Sequence, residues 1–304
     1  MESKVVILMS TYNGEKYLRE QLDSILALNT ENMKIDLLVR DDGSKDSTKD
    51  ILQDYAEKYE QIKWYSGKNK GPAYSFIELL NKVNGYDYYA FCDQDDVWKK
   101  EKIKAAIDKM KYTISSPTLY FSAVDIVDQN LNNIMKTKWD FKFSIENSFI
   151  INPAMGCTMI LNEELKKIIC DKDLDFNIEM HDSWIYRVGQ SIGANIIYDD
   201  DSYILYRQHG NNVMGYNVNA NFFKKISYFF KKKPKYLGEI AEKLLYYYEN
   251  LMDDKNKKVL SDIVNLSQNH TLKSKKIILQ NDKFNTNNIK WNIKFKYDVI
   301  FNRI

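Results

Sequence analysis

Cysteine is scarce in this chain: only Cys92, Cys157 and Cys170 occur in 304 residues. An odd count without paired spacing excludes a disulfide framework and a thiolate zinc site, and it fits a reducing cytosol. Proline (4) and glycine (11) are also few, which argues against long linkers or disorder. No apolar run approaches the roughly 20 residues that span a bilayer. The run at 5–9 is too short for the core of a signal peptide, so the expectation is a cytoplasmic protein. Net charge is only +2, and the chain as a whole is therefore no polyanion binder. The first loop, Ser10-Thr11-Tyr12-Asn13-Gly14, has neither the glycine spacing of a dinucleotide fingerprint nor a P-loop lysine.

What the chain has is apolar residues, 44% of the total, enough for a substantial core. Short apolar runs at 5–9, 35–39, 62–65 and 88–92 alternate with amphipathic stretches carrying Leu18, Leu22, Ile25 and Leu26, then Ile51, Leu52 and Tyr55, then Phe76, Leu79 and Leu80. Alternation on this scale predicts βαβ units and an α/β fold with a mostly parallel sheet flanked by helices. A helix is expected over roughly 99–111, a strand near 119–122, helices near 163–170 and 181–189, and a short strand at 195–198. Between Val213 and Gly238 no acidic residue occurs while lysines accumulate. The expected division is therefore a catalytic domain at 1–215 and a basic helical extension at 216–304.

The most telling cluster is Asp93-Gln94-Asp95-Asp96, directly after a strand and before Val97-Trp98. Three carboxylates in four positions repel one another, and a divalent cation among them reverses that repulsion. A solvated acidic turn capping the next helix accounts for one or two such groups and poorly for three. The end of a strand is also where open α/β sheets bind their ligands. Asp41-Asp42-Gly43-Ser44 offers a carboxylate to a base or ribose, or equally a turn whose helix is capped by Asp46 or Ser47. In Glu179-Met180-His181-Asp182-Ser183-Trp184 a carboxylate stands beside an indole. That suits a general base next to a sugar platform, and also a helix N-terminus with a core tryptophan. Tyr206-Arg207-Gln208-His209-Gly210-Asn211-Asn212 offers a diphosphate contact and a neutral imidazole ligand, or a structural histidine.

Taken in order, these motifs resemble the family 2 glycosyltransferases with the GT-A fold. The later ones, with Gly156-Cys157-Thr158-Met159, resemble the bacterial rhamnosyltransferase branch. The likeness covers roughly residues 4–212. It implies a metal-dependent inverting glycosyltransferase moving a hexosyl group, L-rhamnose from dTDP-L-rhamnose, to a glycan or lipid-linked acceptor in cell-surface polysaccharide synthesis. UDP-hexose donors are the alternative within the fold. By the same likeness Thr11 and Tyr12 flank the base, Asp42 takes its ring N–H, and Asn69 belongs to a donor-side loop. Asp93 contacts ribose or sugar, and Arg207 the diphosphate. Asp95, Asp96 and His209 hold Mn²⁺ or Mg²⁺, and Asp182 is the base. Gly156, Cys157 and Trp184 form the acceptor side.

Three rivals remain to be tested: a non-catalytic nucleotide-sugar binding module, a nucleotidyl transferase, and a nucleic-acid binder. A nucleotidyl transferase would carry a Gly-rich basic loop at the N-terminus, and overall charge disfavours nucleic acid. In the extension, Phe222, Phe223, Ile226, Phe229 and Phe230 share one helical face among lysines. That pattern fits an anionic membrane surface at the inner face of the membrane, or packing against the rest of the chain.

Overall fold

The structure is a computed structural model, and it describes residues 2–172, 174, 176, 178–209 and 236–304. The aromatic stretch 222–230 and the residues 210–212 lie outside the described residues.

Apolar runs without polar alternation make strands covered on both faces. The innermost is β1 (Ser3–Thr11), where Val5 through Met9 are shut off from solvent. It pairs parallel with β2 (Met33–Asp41) on one side and β4 (Tyr88–Cys92) on the other, and β3 (Ile62–Ser66) extends the sheet beyond β2. The crossovers are α1 (Leu18–Leu26), α2 (Thr48–Lys58) and α3 (Pro72–Lys82). They bury Leu18, Leu22 and Ile25, then Ile51, Leu52 and Tyr55, then Phe76, Leu79 and Leu80. Each such aliphatic side chain withdrawn from water stabilises the fold by about 1.5–3 kcal/mol. Just ahead of α2, Asp46 accepts from the Thr48 N–H at 3.1 Å and its hydroxyl at 2.6 Å.

After β4 come β5 (Val97–Trp98), α4 (Lys102–Met110), β6 (Thr118–Val127), β7 (Asn133–Lys136), α5 (Ile145–Ser148), β8 (Ile160–Asn162), α6 (Glu163–Cys170), α7 (His181–Ser191) and β9 (Asn195–Arg207). Strand order across the sheet is β3-β2-β1-β4-β8-β6-β9-β5, with β7 on β6. Parallel pairing holds from β3 to β4 and again between β6 and β9. β8 runs antiparallel to both its neighbours, because it enters from a loop and a 3₁₀ turn at Gly156–Thr158 instead of a crossover helix. The strand expected at 195–198 continues to Arg207. Its register with β6 shifts between Ser122 and Asp125, and its far end pairs antiparallel with β5. Such irregularities bend a strand, and this one carries Arg207 and His209 to the end of β4.

The chain forms two compact units. The first comprises the described residues of Met1–Trp139, Ala154–Ile185 and Ala194–Asn212. The second comprises those of Asp140–Pro153, Tyr186–Gly193 and Val213–Ile304. It holds α8 (Tyr236–Tyr248), α9 (Asp254–Asn269), α10 (Leu272–Gln280) and α11 (Ile289–Ile300). Within it, the Asn256 amide donates to the Gln190 and Ser191 carbonyls at 3.1 and 3.0 Å, closing the C-terminal end of α7. No helix among the described residues is long and apolar enough to cross a membrane.

Candidate active site

Because β1 and β4 are parallel and in register at Met9 and Cys92, the loops 10–14 and 93–96 leave the sheet side by side. Gln94 clasps the two together. It accepts from the Tyr12 N–H at 2.9 Å and donates to the Tyr12 carbonyl at 3.1 Å. A Cβ on Gly14 would stand 2.2 Å from the Gln94 amide oxygen, so any other residue here would push the Gln94 side chain out of this clasp. Asn13 sits at φ 48° and links the loop to the next one. Its N–H donates to the Ser44 hydroxyl and its side chain accepts from the Lys45 N–H, both at 2.9 Å. Above this floor lies a cleft of 440 Å³ lined by Tyr12, Asn13, Gly14, Lys16, Tyr17, Gln94, Asp95, Gln129 and His209.

Within the acidic cluster the three carboxylates face different surroundings. Asp95 lines the cleft, and its Oδ2 lies 2.7 Å from His209 Nε2. Asp93 is half-buried, and burial, then the charges of Asp95 and Asp182, push its carboxyl up to about 7. Asp96 is fully buried. Burial followed by the charges of Asp95 and Asp93 raises it well above the carboxylate range. Its Oδ1 accepts from the Arg207 N–H at 3.1 Å, and its Oδ2 has no hydrogen-bond partner. Ligand atoms of Asp93, Asp96 and Cys157 lie within 4.8 Å of one another. Carboxylate oxygens that repel one another, one of them orphaned, beside an imidazole nitrogen, form a donor set that suits Mg²⁺ or Mn²⁺. Asp96 belongs to this group although it is buried and does not line the cleft.

Asp182 opens α7, where the helix dipole favours a carboxylate. Its Oδ1 accepts from the Ser183 N–H at 2.5 Å and its Oδ2 from the Gly156 N–H at 3.2 Å. The next residue back, His181, is buried between Phe76 and Phe91, with ring centroids 4.1 and 5.1 Å away. Neither of its nitrogens has a hydrogen-bond partner, and burial drives its pKa down to about 3. The imidazole is neutral. A Cβ on Gly156 would come 2.8 Å from its Nε2, so the glycine lets the 156–158 turn lie against His181 and reach Asp182. Cys157 is buried beside Asp96, and burial raises its thiol pKa.

Three expected contacts take other forms. Trp184 is 1% exposed and packs edge-on to Phe176 at 5.0 Å, so no indole face is open to an acceptor ring. Arg207 is 2% exposed and already engaged: it donates to the Asp95 carbonyl at 2.9 Å, the Gln129 carbonyl at 2.8 Å and Glu20 at 2.5 Å, and lies over the Tyr17 ring. It braces the cleft-lining Tyr17, Asp95 and Gln129 and has its guanidinium committed to these contacts instead of open to a diphosphate. Asp42 is buried, its oxygens held by Arg40 and by the N–H groups of Lys70 and Gly71, so it secures the loop that carries the exposed Asn69 and does not face a base. Thr11 is buried against Asp41, whose carboxylate also accepts from Ser66 and Ser44. Tyr12 is 44% exposed on the cleft.

Sequence reasoning passed over Lys16, Tyr17, Gln94 and Gln129. Lys16 and Tyr17 could have been found as the polar and aromatic residues just after the first loop. Gln94 could have been found as the amide inside the tetrad. Gln129 has no local signal.

The model of glycosyl transferase family 2 matches residues 6–162. The chain belongs to glycosyl transferase family 2. A dTDP-rhamnosyl transferase, RfbG of Shigella flexneri, is 31% identical to this transferase over 249 residues, 77% of this chain and 80% of that protein. An uncharacterized glycosyltransferase of Rickettsia prowazekii, RP339, is 28% identical over 215 residues, 67% of this chain and 64% of its own. Among solved structures, S. aureus TarS 1–349 in complex with UDP-GlcNAc superposes with a TM-score of 0.59 at 18% identity. It covers 99% of this transferase and 89% of that chain. At that identity the likeness is one of fold: the GT-A type α/β fold with a C-terminal helical region.

Proposed function

We propose that this transferase moves L-rhamnose from dTDP-L-rhamnose to a hydroxyl of a glycan or lipid-linked saccharide, with inversion, in the building of a bacterial cell-surface polysaccharide. The likeness to a dTDP-rhamnosyl transferase supports the donor. One observation supports the chemistry: Asp182 accepts from the Gly156 N–H at 3.2 Å, and the next residue, Cys157, has its sulfur within 4.8 Å of carboxylate oxygens of Asp93 and Asp96, which brings the proposed base beside the acidic cluster. In this reading 1–215 is the catalytic part and 216–304 an extension, with the protein working at the inner face of the membrane.

Asp95 and His209, with Asp93 beside them, would hold Mn²⁺ or Mg²⁺, which when bound supplies positive charge for the leaving diphosphate. Asp182, fixed by the Gly156 and Ser183 N–H groups, takes the acceptor hydroxyl's proton as that oxygen bonds to the anomeric carbon. The bond from that carbon to the diphosphate breaks, and its electron pair leaves with the diphosphate. Lys16 brings a further cation to the cleft. Gly156 borders the acceptor side, with the buried Cys157 behind it. The neutral His181 keeps its neighbour's carboxylate from being neutralised by an imidazolium.

A thermal-shift screen of nucleotide sugars with and without Mn²⁺, followed by transfer assays, tests the reading. dTDP-L-rhamnose raising Tm more with the cation than without it is the expected result. A UDP-hexose doing so instead would move the donor assignment. Stabilisation by no nucleotide sugar under either condition would overturn the reading.

A further inference from the structure

The last helix of the second unit, α11, turns two different faces to its surroundings. Inward, Phe295 and Val299 are buried, with Phe295 stacked on Phe284 at 5.3 Å. The helix's one acidic residue, Asp298, is also turned inward, paired with Lys294 at 2.6 Å and near Arg303 at 3.7 Å. Outward, Ile289 is 73%, Ile293 55%, Ile300 49% and Phe301 59% exposed. At about 100° per residue, Ile289, Ile293 and Ile300 fall within roughly 40° of one another, a continuous apolar strip. Lys290 and Lys296 stand exposed on either side of it. Trp291, 39% exposed, lies nearer the inward edge.

The neighbouring helix continues the pattern. α10 presents Leu272, 87% exposed, with Lys273 and Lys276 exposed beside it. The Lys275 ammonium donates to the Ile300 carbonyl at 2.7 Å, joining the two helices at this end. Residues 272–304 carry seven lysines and one arginine against two aspartates, in a chain whose total is only +2. An aqueous face gains nothing from three aligned isoleucines, and a neutral protein partner would not call for lysine on both rims. A bilayer surface of anionic lipid matches both parts, acyl chains to the isoleucines and headgroups to the lysines.

We infer that the outer face of α11, with the exposed edge of α10, is a docking surface for an anionic lipid bilayer. The helix lies in the plane of the interface, Ile289, Ile293 and Ile300 entering the acyl boundary and Lys290 and Lys296 reaching headgroup phosphates. The inference stands on this surface alone and does not depend on the donor or the chemistry assigned above.

Flotation of the full chain on vesicles of phosphatidylcholine, with and without phosphatidylglycerol, tests it. Binding only to the anionic vesicles, weakening with salt, is the expected result. Lys290→Gln with Lys296→Gln should lower the partition constant roughly 30-fold, at about fivefold per lysine near the surface. Ile293→Glu with Ile300→Glu should abolish flotation, while both variants keep the wild-type circular dichroism and nucleotide-sugar thermal shift. Equal binding to both vesicle types, or binding to neither, overturns the inference. So does flotation that ignores both double variants, or a change confined to sedimentation, which would mark the strip as a contact between copies of this chain.

Discussion

At the scale of single residues, the site rests on carboxylates whose surroundings set them apart. Asp182→Asn keeps one of the two N–H contacts, through its single amide oxygen, and loses the proton acceptor, so kcat should fall by about 10²–10⁴-fold, while donor binding by calorimetry stays within a small factor. Equal loss of both would deny Asp182 the role of base. Asp95→Ala and His209→Ala should each weaken Mn²⁺ and nucleotide binding together, by more than about tenfold. Unchanged metal affinity in either variant would remove that residue from the ligand set. His181 makes a prediction about acid. Its pKa falls from 6.5 to about 3 on burial, so the unfolded chain takes up a proton that the folded one refuses. Stability from this residue is full above pH 6.5 and declines as pH drops toward 3. Between pH 6.5 and about pH 5 the loss should be about 2 kcal/mol, measured by urea unfolding. His181→Met should flatten that slope, and an unchanged slope would show that the loss arises elsewhere.

At the scale of elements, the clasp between the loops after β1 and β4 predicts a division of effects. Gln94→Ala frees the Tyr12 backbone and loosens the floor of the cleft without touching the core. KM for the donor should rise several-fold with kcat held, and Tm should shift little; a matched fall in kcat would place Gln94 in the reaction itself. The elements also show what could be read in advance. The strands β1 to β4 and their helices were legible because each is a short-range pattern: an unbroken apolar run, then apolar residues spaced for one helical face. β8 and the long β9 were not. A three-residue strand carries no period, and a strand with a shifted register is held by its neighbours rather than by its own residues. Burial of polar groups was equally hidden. Asp42, Asp96 and Arg207 stand in polar motifs that read as open sites, yet partners from distant segments occupy or cover them. The same is true of Trp184, whose neighbours in sequence are polar while its neighbours in space are not.

At the scale of the whole molecule, the proposed function joins a sheet-borne cleft to a cation-dependent reaction, and stability should register both. A saturating donor with Mn²⁺, at about 100 times its Kd, stabilises the native state by about 2.7 kcal/mol, a rise of several degrees in Tm. Chelation should return the donor-bound protein most of the way to the unliganded value; a donor shift indifferent to chelator would place the nucleotide away from Asp95. One feature of the architecture governs when such a site can come into being. The family's shared stretch ends at residue 162, but the guanidinium that ties Glu20, Asp95 and Gln129 together arrives only at residue 207. Domains fold from the N-terminus as the ribosome extends them, so a nascent chain halted near residue 170 would own the parallel strands and an unfinished cleft. Synthesis itself therefore leaves the cleft unfinished until the last strand threads home.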